Sequence, residues 1–220
     1  MRVKYQAFLS DLDGTLLNTL EDLADSVNIA LDRLGLPQHK VDAYKYFVGD
    51  GRRAMALRAL PEDRRDEATL APLLVHIGEE YEKRWMDHSR PYEGIPELLD
   101  TLTARGVRLA ILSNKPHSYT EVMVSRLLPD WSFEFVVGES PSVPRKPDPS
   151  GALQIVEGMG IKPGECLYIG DSGVDMQTAT AAGLYGVGVL WGFREADETL
   201  SNGAEAPVKK PADIIPLFRD

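Results

Sequence analysis

The sequence of 220 residues predicts an α/β fold in which helices cover both faces of a parallel sheet. Two observations support this prediction. Short apolar segments alternate with helical segments along most of the chain, which is typical of a parallel sheet. A long stretch after the first strand contains no strand-like segment, which indicates a helical insertion. We therefore expect a core of residues 1–18 and 91–220 and an inserted helical domain of residues 19–90.

Most predicted strands are short and rich in β-branched or aromatic residues, as expected for strands buried on both faces. They are Ala7–Leu9, Arg108–Leu112, Phe135–Val137, Leu167–Ile169 and Val187–Leu190. Helices that end at or near a glycine are predicted between them, at Ile95–Arg105, Asp148–Gly160 and Asp175–Ala182. Ligands of such sheets bind beyond the carboxyl ends of the strands, so functional residues are expected there.

The insertion has the apolar spacing of helices. Apolar residues recur at positions i, i+3, i+4 and i+7 between Leu20 and Leu34, which predicts an amphipathic helix. Thr19 and Asp22 are predicted to form a capping box at its start. Two further helices are predicted, over Arg52–Leu60 and Asp66–Met86. Near the end of the chain, the polar segment Ser201–Asp213 is predicted to be a surface loop.

Composition excludes several classes of function. The 43% hydrophobic and 26% charged residues are typical of a globular protein, and no apolar run approaches the ~20 residues of a membrane span. The formal net charge of −10 argues against non-specific binding to nucleic acid or to anionic membranes. The N-terminal residues do not resemble a signal peptide. The single cysteine, Cys166, is expected to be buried in a reducing cytoplasm.

Two carboxylates directly follow the first predicted strand, in the segment Asp11-Leu12-Asp13-Gly14-Thr15. An aspartate can attack phosphorus and form an aspartyl-phosphate, which divides one difficult displacement into two easier steps. A neighbouring carboxyl group can protonate the leaving oxygen and later activate water. A simple Asp-Gly turn explains the same residues about equally well, so this pair alone does not decide the function.

Two further segments carry groups that could hold a phosphoryl group. Ser113 and Asn114 directly follow the second predicted strand, where a hydroxyl and nearby backbone N–H groups could bind phosphate oxygens. Lys146 lies beside Pro147 in a proline-rich loop that favours a fixed side-chain position. Taken singly, these residues are better explained as a helix cap and a surface charge.

A second acidic pair follows the strand near Cys166. Asp171 and Asp175 are four residues apart and would share one helical face if a helix begins there. Mg²⁺ prefers oxygen ligands, so Asp171 and Asp11, completed by the main-chain carbonyl of Asp13, could form a magnesium site. An acidic helix start stabilised by the helix dipole is the alternative, but it explains the pair less well.

In this order, Asp-x-Asp-Gly-Thr, a strand-end Ser-Asn, Lys-Pro and Gly-Asp-x-x-x-Asp resemble the motifs of the haloacid dehalogenase superfamily. The resemblance covers nearly the whole chain. It implies a Rossmann-like core and identifies the insertion of residues 19–90 as a mobile cap of type 1. Members of the superfamily that cleave carbon–halogen bonds lack the second aspartate of the first motif, so its presence here points to phosphate-ester chemistry.

The resemblance also implies roles for individual residues. Asp11 is the expected nucleophile, Asp13 the general acid and base, and Lys146 a third catalytic residue. Mg²⁺ is the expected cofactor, bound by Asp11, by the main-chain carbonyl of Asp13 and by Asp171, with support from Asp175.

Substrate-binding residues are expected in both domains. They are Thr15, Ser113, Asn114 and Lys115 in the core, and Gly49 and Arg52 in the cap. A glycine would let the cap backbone approach the substrate closely, and the arginine could pair with a substrate carboxylate. A helix-initiating turn followed by a solvated arginine explains the two cap residues about as well.

Three segments resemble the phosphoglycolate phosphatase subgroup, namely Val48–Gly51, Leu112–Pro116 and Trp191–Phe193. The expected function is therefore Mg²⁺-dependent hydrolysis of a small phosphorylated metabolite, best fitted by 2-phosphoglycolate, through an aspartyl-phosphate. A phosphomutase similar to β-phosphoglucomutase, a pyrophosphatase and a non-enzymatic phosphorylatable module remain as alternatives. We expect a cytoplasmic monomer or homodimer with no nucleic-acid or membrane partner.

Overall fold

The computed structural model describes residues 4–218, which form two compact units. One is the continuous segment Asn18–Arg90, here called the inserted unit, and the rest of the described chain is the core unit. The inserted unit begins one residue before the predicted insertion of residues 19–90 and ends at the same residue. Its action as a mobile cap stays a prediction.

The core unit is built on a parallel sheet. The strands of the described chain are β1 (Ala7–Ser10), β2 (Leu17–Asn18), β3 (Arg90–Pro91), β4 (Arg108–Pro116), β5 (Phe133–Glu139), β6 (Cys166–Gly170), β7 (Tyr185–Val189) and β8 (Ala206–Val208). Six of them form one sheet in the order β5-β4-β1-β6-β7-β8, and all neighbours in it run parallel. β2 and β3 form a separate two-stranded sheet. The predicted parallel α/β core is confirmed.

Helices connect these strands and make up the inserted unit. They are α1 (Leu20–Arg33), α2 (Tyr44–Phe47), α3 (Arg52–Ala59), α4 (Glu67–Arg84), α5 (Ile95–Ala104), α6 (His117–Leu127), α7 (Ser150–Gly158), α8 (Gly173–Ala182) and α9 (Ala196–Ser201). Short 3-10 helices cover Val41–Ala43, Glu62–Arg64, Pro163–Glu165 and Pro211–Phe218. The helices predicted within the insertion are confirmed as α1, α3 and α4.

The order of the strands determines where ligands should bind. β1 lies in the middle of the sheet, with β4 on one side and β6 on the other. From β1 the chain moves outward to β4 and β5, and it then returns to β6 before it moves outward in the opposite direction. Parallel sheets bind ligands at such a switch point, beyond the carboxyl ends of the strands. The residues that follow β1 and β6 are therefore placed for binding or chemistry.

Successive side chains of β1 point to opposite faces of the sheet, and both faces are buried. Leu9 packs in one apolar cluster with Ile155 of α7 and Ala179 of α8. Phe8 points to the opposite face, where its ring centroid lies 6.3 Å from that of Phe218. Burial of each such leucine or phenylalanine stabilises the fold by about 1.5–3 kcal/mol. The central strand is thus fixed from both sides, which holds the residues that follow it in place.

The end of the chain differs from the prediction. The segment Ser201–Asp213, predicted to be a surface loop, contains β8, which pairs in parallel with β7. Pro207 lies within β8 opposite Gly188. An edge strand tolerates the missing N–H of a proline, so the prolines and polar residues that indicated a loop are compatible with a strand at this position.

The predicted capping box at the start of α1 is wrong. The Thr19 side chain makes no capping hydrogen bond. The buried Asp22 carboxylate instead accepts hydrogen bonds from the N–H groups of His88 and Ser89, at 2.9 and 2.8 Å, and from the Ser89 hydroxyl at 2.6 Å. These bonds join the two ends of the inserted unit. The Asp22 carboxylate therefore makes a tertiary contact and does not cap the start of its own helix.

Cysteine burial and helix hydropathy were both predicted from composition. Cys166 is free and fully buried as expected, and burial raises the pKa of its thiol to about 12. Within residues 4–218, no helix is both long and apolar enough to cross a bilayer. The cytoplasmic location stays a prediction.

Candidate active site

The predicted nucleophile directly follows the central strand. The Asp11 N–H donates to the carbonyl of Ile169 on β6 at 3.0 Å, which continues the pairing of β1 beyond its last residue. The carboxylate of Asp11 lies 2.8 Å from the ammonium of Lys146, and both side chains are almost entirely buried. The structure therefore brings together the predicted nucleophile and the predicted catalytic lysine.

The turn after Asp13 depends on Gly14, which has a φ of 85°. A Cβ at this position would lie 2.8 Å from Cγ of Asp171 and 2.9 Å from the ring of Phe193. Only glycine combines the positive φ with such a close approach. Gly14 thus allows the first motif to pack directly against the acidic segment that follows β6.

Lys146 is held from two directions. Its ammonium donates to Asp11 and, at 2.6 Å, to Oδ1 of Asp175. Burial lowers the pKa of Lys146, but the carboxylates of Asp11 and Asp175 more than offset this effect, so the pKa lies above its usual value. The lysine therefore stays charged inside the protein.

Asn114 positions the loop that carries Lys146. Its side-chain oxygen accepts from the Lys146 N–H at 2.7 Å, and its side-chain amide donates to the Lys146 carbonyl at 3.1 Å. The Lys146–Pro147 peptide bond is cis. The predicted contact of Asn114 with substrate stays a prediction.

Four donors surround the carboxylate of Asp175. Oδ1 accepts from Lys146 and from the Tyr168 hydroxyl at 2.9 Å, and Oδ2 accepts from the N–H and hydroxyl of Ser172 at 3.1 and 2.6 Å. Sequence reasoning missed Tyr168 and Ser172. The Ser-x-x-Asp capping pattern was a signal for Ser172, whereas a tyrosine within a buried strand indicated only that its hydroxyl needs a partner.

Asp171 is buried beside these groups. Its Oδ2 accepts from the N–H of Phe193 at 2.6 Å. Burial raises the pKa of Asp171 to about 8, with further contributions from the charges of Asp175 and Asp11. Burial likewise raises the pKa of Asp11 to about 7, although Lys146 opposes the shift. Both carboxylates would be more readily ionised next to a cation.

The acidic residues could hold a divalent cation. Asp11, Asp171 and Asp175 are all buried, and each offers a carboxylate oxygen within 4.8 Å of those of the other two. Buried carboxylates this close repel one another, and a cation would remove that repulsion. The all-oxygen ligand set suits a hard divalent ion. The role of the Asp13 main-chain carbonyl as a further ligand stays a prediction.

The second carboxylate of the first motif has its own lysine. The Lys115 ammonium lies 3.1 and 2.9 Å from the two carboxylate oxygens of Asp13. The Lys115 N–H donates to the hydroxyl of Ser113 at 3.2 Å. The buried Thr15 hydroxyl has no hydrogen-bond partner within the described part of the chain. These contacts bring Asp13, Ser113 and Lys115 together. The contact of Thr15, Ser113 and Lys115 with substrate stays a prediction.

The predicted cap residues lie in the inserted unit. Gly49 and Gly51 have φ values of 120° and 85°, so this loop requires glycine at both positions. Arg52 is the first residue of α3. The contact of Gly49 and Arg52 with substrate stays a prediction.

Comparisons with known proteins agree with this arrangement. The family model described as haloacid dehalogenase-like hydrolase matches residues 8–189. The phosphoglycolate phosphatase of Nitrosospira multiformis is 33% identical over 218 residues, which cover 97% of this chain and 96% of that protein. The phosphoglycolate phosphatase of Pseudomonas putida is 31% identical over 217 residues, 95% of this chain and 75% of that protein.

A solved structure extends the similarity to the fold. The crystal structure of a predicted phosphoglycolate phosphatase from Haemophilus somnus has a TM-score of 0.90 at 28% identity, covering 98% of this chain and 99% of that one. Fold, motif order and family model agree over most of the molecule, and this chain therefore belongs to the haloacid dehalogenase-like hydrolases.

Proposed function

We propose that this phosphatase hydrolyses 2-phosphoglycolate with the help of Mg²⁺, through an aspartyl-phosphate formed on Asp11. The observation that carries the proposal is the buried contact of 2.8 Å between Asp11 and Lys146, beside the acidic cluster of Asp171 and Asp175. A paired carboxylate next to a cation site suits attack on a phosphoryl group, because the positive charges offset the negative charge of the substrate.

In the first step, a carboxylate oxygen of Asp11 attacks phosphorus and the bond between phosphorus and the leaving oxygen breaks. The carboxyl group of Asp13 gives its proton to the leaving oxygen. Lys146 and Ser113 hold the phosphoryl oxygens during this transfer. The products are the dephosphorylated alcohol and a phosphoryl group on Asp11.

In the second step, water attacks phosphorus and the bond between phosphorus and Asp11 breaks. The Asp13 carboxylate takes a proton from this water, which restores both aspartates and releases phosphate. Asp11 and Asp171 would hold Mg²⁺ through carboxylate oxygens, supported by Asp175. When bound, Mg²⁺ supplies charge neutralisation at the phosphoryl oxygens.

The substrate is proposed from two features. Relatives that share about a third of their residues with this chain are phosphoglycolate phosphatases. Phosphoglycolate carries a carboxylate besides its phosphate, and Arg52 of the inserted unit offers a guanidinium that can pair with a carboxylate through two parallel hydrogen bonds. We propose that Arg52 recognises that carboxylate and that Gly49 allows the neighbouring backbone to approach it.

Phosphate release from a small set of compounds tests the proposal. The purified protein is incubated with 2-phosphoglycolate, glucose phosphates and pyrophosphate, each with Mg²⁺ and with a chelator. We expect rapid, Mg²⁺-dependent release of phosphate from 2-phosphoglycolate, and none from any compound with the Asp11→Asn variant. Isomerised sugar phosphate without release of phosphate would instead indicate a mutase, and preferred cleavage of pyrophosphate would also contradict the proposal.

A further inference from the structure

We propose that Lys115 is a positioning residue for Asp13, whose carboxylate it orients toward the water that removes the phosphoryl group from Asp11. This inference rests on the proposed function and assigns Lys115 a role other than the predicted contact with substrate. Each buried lysine of the site then serves one aspartate of the first motif: Lys146 serves Asp11, and Lys115 serves Asp13.

The contact between Lys115 and Asp13 constrains the carboxylate at two points. The Lys115 ammonium lies within hydrogen-bond distance of both Oδ1 and Oδ2 of Asp13, at 3.1 and 2.9 Å. The Lys115 side chain is 4% exposed and that of Asp13 12% exposed, so little water competes for these bonds. Bonds to both oxygens restrict rotation of the carboxylate, and orientation of this kind is what general base catalysis requires.

The backbone of Lys115 is itself fixed. Its N–H donates to Ser113 at 3.2 Å, and its carbonyl accepts from the Thr120 hydroxyl at 3.3 Å. A Cβ at Gly138 of β5 would lie 2.6 Å from this carbonyl, so the close approach of the two strands depends on glycine. The lysine therefore starts from a rigid position at the end of β4, where pairing with β5 is irregular between Leu112 and Pro116.

The two buried lysines pair with different aspartates, and this favours a positioning role for Lys115 over direct binding of phosphate. Lys146 already lies beside Asp11, at 2.8 Å, where the phosphoryl group is to be transferred. The Lys115 ammonium forms an ion pair with Asp13, at 2.9 Å from Oδ2. An ammonium that holds the base in place acts through that base, so its removal should affect the step that needs the base most.

The step that needs Asp13 most depends on the leaving group. When the leaving group is a stable anion, this step is the dephosphorylation of Asp11. With p-nitrophenyl phosphate, the bond between phosphorus and the phenolic oxygen breaks without proton transfer, so phosphorylation of Asp11 does not need Asp13. Hydrolysis of the aspartyl-phosphate still needs Asp13 to take a proton from water. A substrate of this kind separates the two half-reactions.

The test is rapid-quench kinetics of the Lys115→Met variant with p-nitrophenyl phosphate and Mg²⁺. We expect a burst of about one nitrophenolate per active site at nearly the rate of the unaltered protein, followed by steady turnover reduced roughly 100-fold. Phosphoenzyme should accumulate, and KM should not rise. The matched control is Lys209→Met, an exposed lysine of the core unit, which should leave both phases unchanged.

A double-mutant cycle makes the test stricter. If Lys115 acts only through Asp13, then Lys115→Met should cause no further loss of dephosphorylation in a protein that already carries Asp13→Asn. Lys115→Arg, which keeps a cation, is expected to recover most of the rate lost in Lys115→Met. Should Lys115→Met fail to fold, judged by thermal unfolding, Lys115→Arg is expected to dephosphorylate faster than Asp13→Asn, and equal rates would contradict the proposal.

Other outcomes would overturn the inference and leave the proposed function intact. A raised KM with an unchanged burst and unchanged kcat would make Lys115 a substrate-binding residue. Equal loss of the burst rate and the steady rate, or additive losses in the double variant, would also contradict a role through Asp13. Failure of the proposed function looks different, because the unaltered protein would then form no phosphoenzyme that depends on Asp11.

Discussion

Two aspartates that lie two positions apart in the chain have different partners. Asp11 contacts the Lys146 ammonium, whereas both carboxylate oxygens of Asp13 contact Lys115. Nucleophile and acid/base catalyst must not exchange roles, and separate environments are how proteins assign different tasks to similar groups. The partner lysines therefore explain how one short motif could supply both functions.

Substitution of each aspartate should stop the reaction at a different point. Asp11→Asn removes the attacking oxygen charge, so we expect loss of turnover by at least ~10³-fold and no phosphoenzyme. Asp13→Asn should still form phosphoenzyme from p-nitrophenyl phosphate, because that leaving group needs no proton. Acid-quenched protein analysed by mass spectrometry distinguishes the two. Substantial turnover by Asp11→Asn would contradict its assignment as the nucleophile.

Neighbouring arginines of α3 offer a matched test of substrate recognition. Arg52→Met should raise KM for 2-phosphoglycolate by roughly 10- to 100-fold, because a charged hydrogen bond to the carboxylate is worth about 1.5–3 kcal/mol. It should hardly change KM for ethyl phosphate, which lacks the carboxylate. Arg53, whose guanidinium pairs with Glu67, is the control, and Arg53→Met should alter neither value. Similar KM changes for both substrates would exclude recognition of the carboxylate by Arg52.

Motif residues could be predicted from the sequence, but their partners could not. The segments that carry Asp11, Lys146 and Asp171 were identified because each follows a strand or lies in a stiff loop, and parallel strands bring their carboxyl ends together. The partner of Asp22 was predicted wrongly because its hydrogen bonds reach Ser89, far along the chain. The Tyr168 contact with Asp175 was missed for a similar reason, since the sequence does not fix which buried group its hydroxyl meets.

At the scale of secondary-structure elements, one buried carboxylate links helices of the inserted unit. Glu80 of α4 is 2% exposed and pairs with Arg33 of α1 and with Lys83 and Arg84 of its own helix. Hydrogen bonds from Lys83 and Arg84 lower its pKa to about 2, with a smaller contribution from the charge of Arg33 and against the effect of burial. The pair between the two helices thus depends on a charged Glu80.

Loss of that charge should loosen α1 and α4. Glu80→Gln is expected to destabilise the inserted unit by about 2–3 kcal/mol, because it removes bonds to charged groups from a buried position. Glu79, exposed and also paired with Arg33, is the control, and Glu79→Gln should cost about 1 kcal/mol or less. Hydrogen exchange of the α1 and α4 amides measures the loss of stability in each variant.

The ion pairs of Glu80 also predict how the stability of α1 and α4 changes with pH. The pKa of Glu80 is lower in the folded protein than its ordinary value near 4.5, so its stabilisation is present above that pH and is lost as the pH falls toward 2. Amide protection in α1 and α4 should decline over this range in the unaltered protein. The Glu80→Gln variant should lack this part of the decline, and an equal decline in both proteins would contradict the assignment.

Elements with strong periodicity were predicted well, and weak edge elements were not. The strand at Ala7–Ser10 and the helix at Leu20–Arg33 carry clear apolar patterns. β8 has three residues, one of them proline, and it exists because Val187 and Val189 of β7 offer a free edge. A strand that depends on a partner distant in sequence leaves little local pattern.

At the scale of the whole molecule, sheet topology concentrates negative charge at one point. The reversal of strand order places the segments after β1 and β6 side by side, and the buried Asp11, Asp171 and Asp175 come together there. The parallel order of the strands followed from strand–helix alternation. The burial of three carboxylates around one point required the three-dimensional arrangement, since isolated acidic residues are usually exposed.

This charge cluster predicts that a metal and pH act jointly on stability. Burial raises the pKa of Asp11 to about 7 and of Asp171 to about 8, both far above the ordinary value of 3.8. The folded protein without metal therefore binds more protons than the unfolded chain between about pH 4 and 8, and its stability falls as the pH rises through that range. In the presence of a chelator, Tm should be lower at pH 8 than at pH 5.5.

Mg²⁺ should reverse that loss, because it competes with protons for the same carboxylates. At a concentration about 100 times Kd, it should stabilise the folded protein by about 2.7 kcal/mol, or raise Tm by roughly 5–10 °C at pH 8, and by much less at pH 5.5. Calorimetry at both pH values measures the difference. Asp171→Asn, which removes one of the charges, should weaken both the pH dependence and the response to Mg²⁺. An equal Mg²⁺ effect at the two pH values would show that these buried carboxylates do not form the cation site.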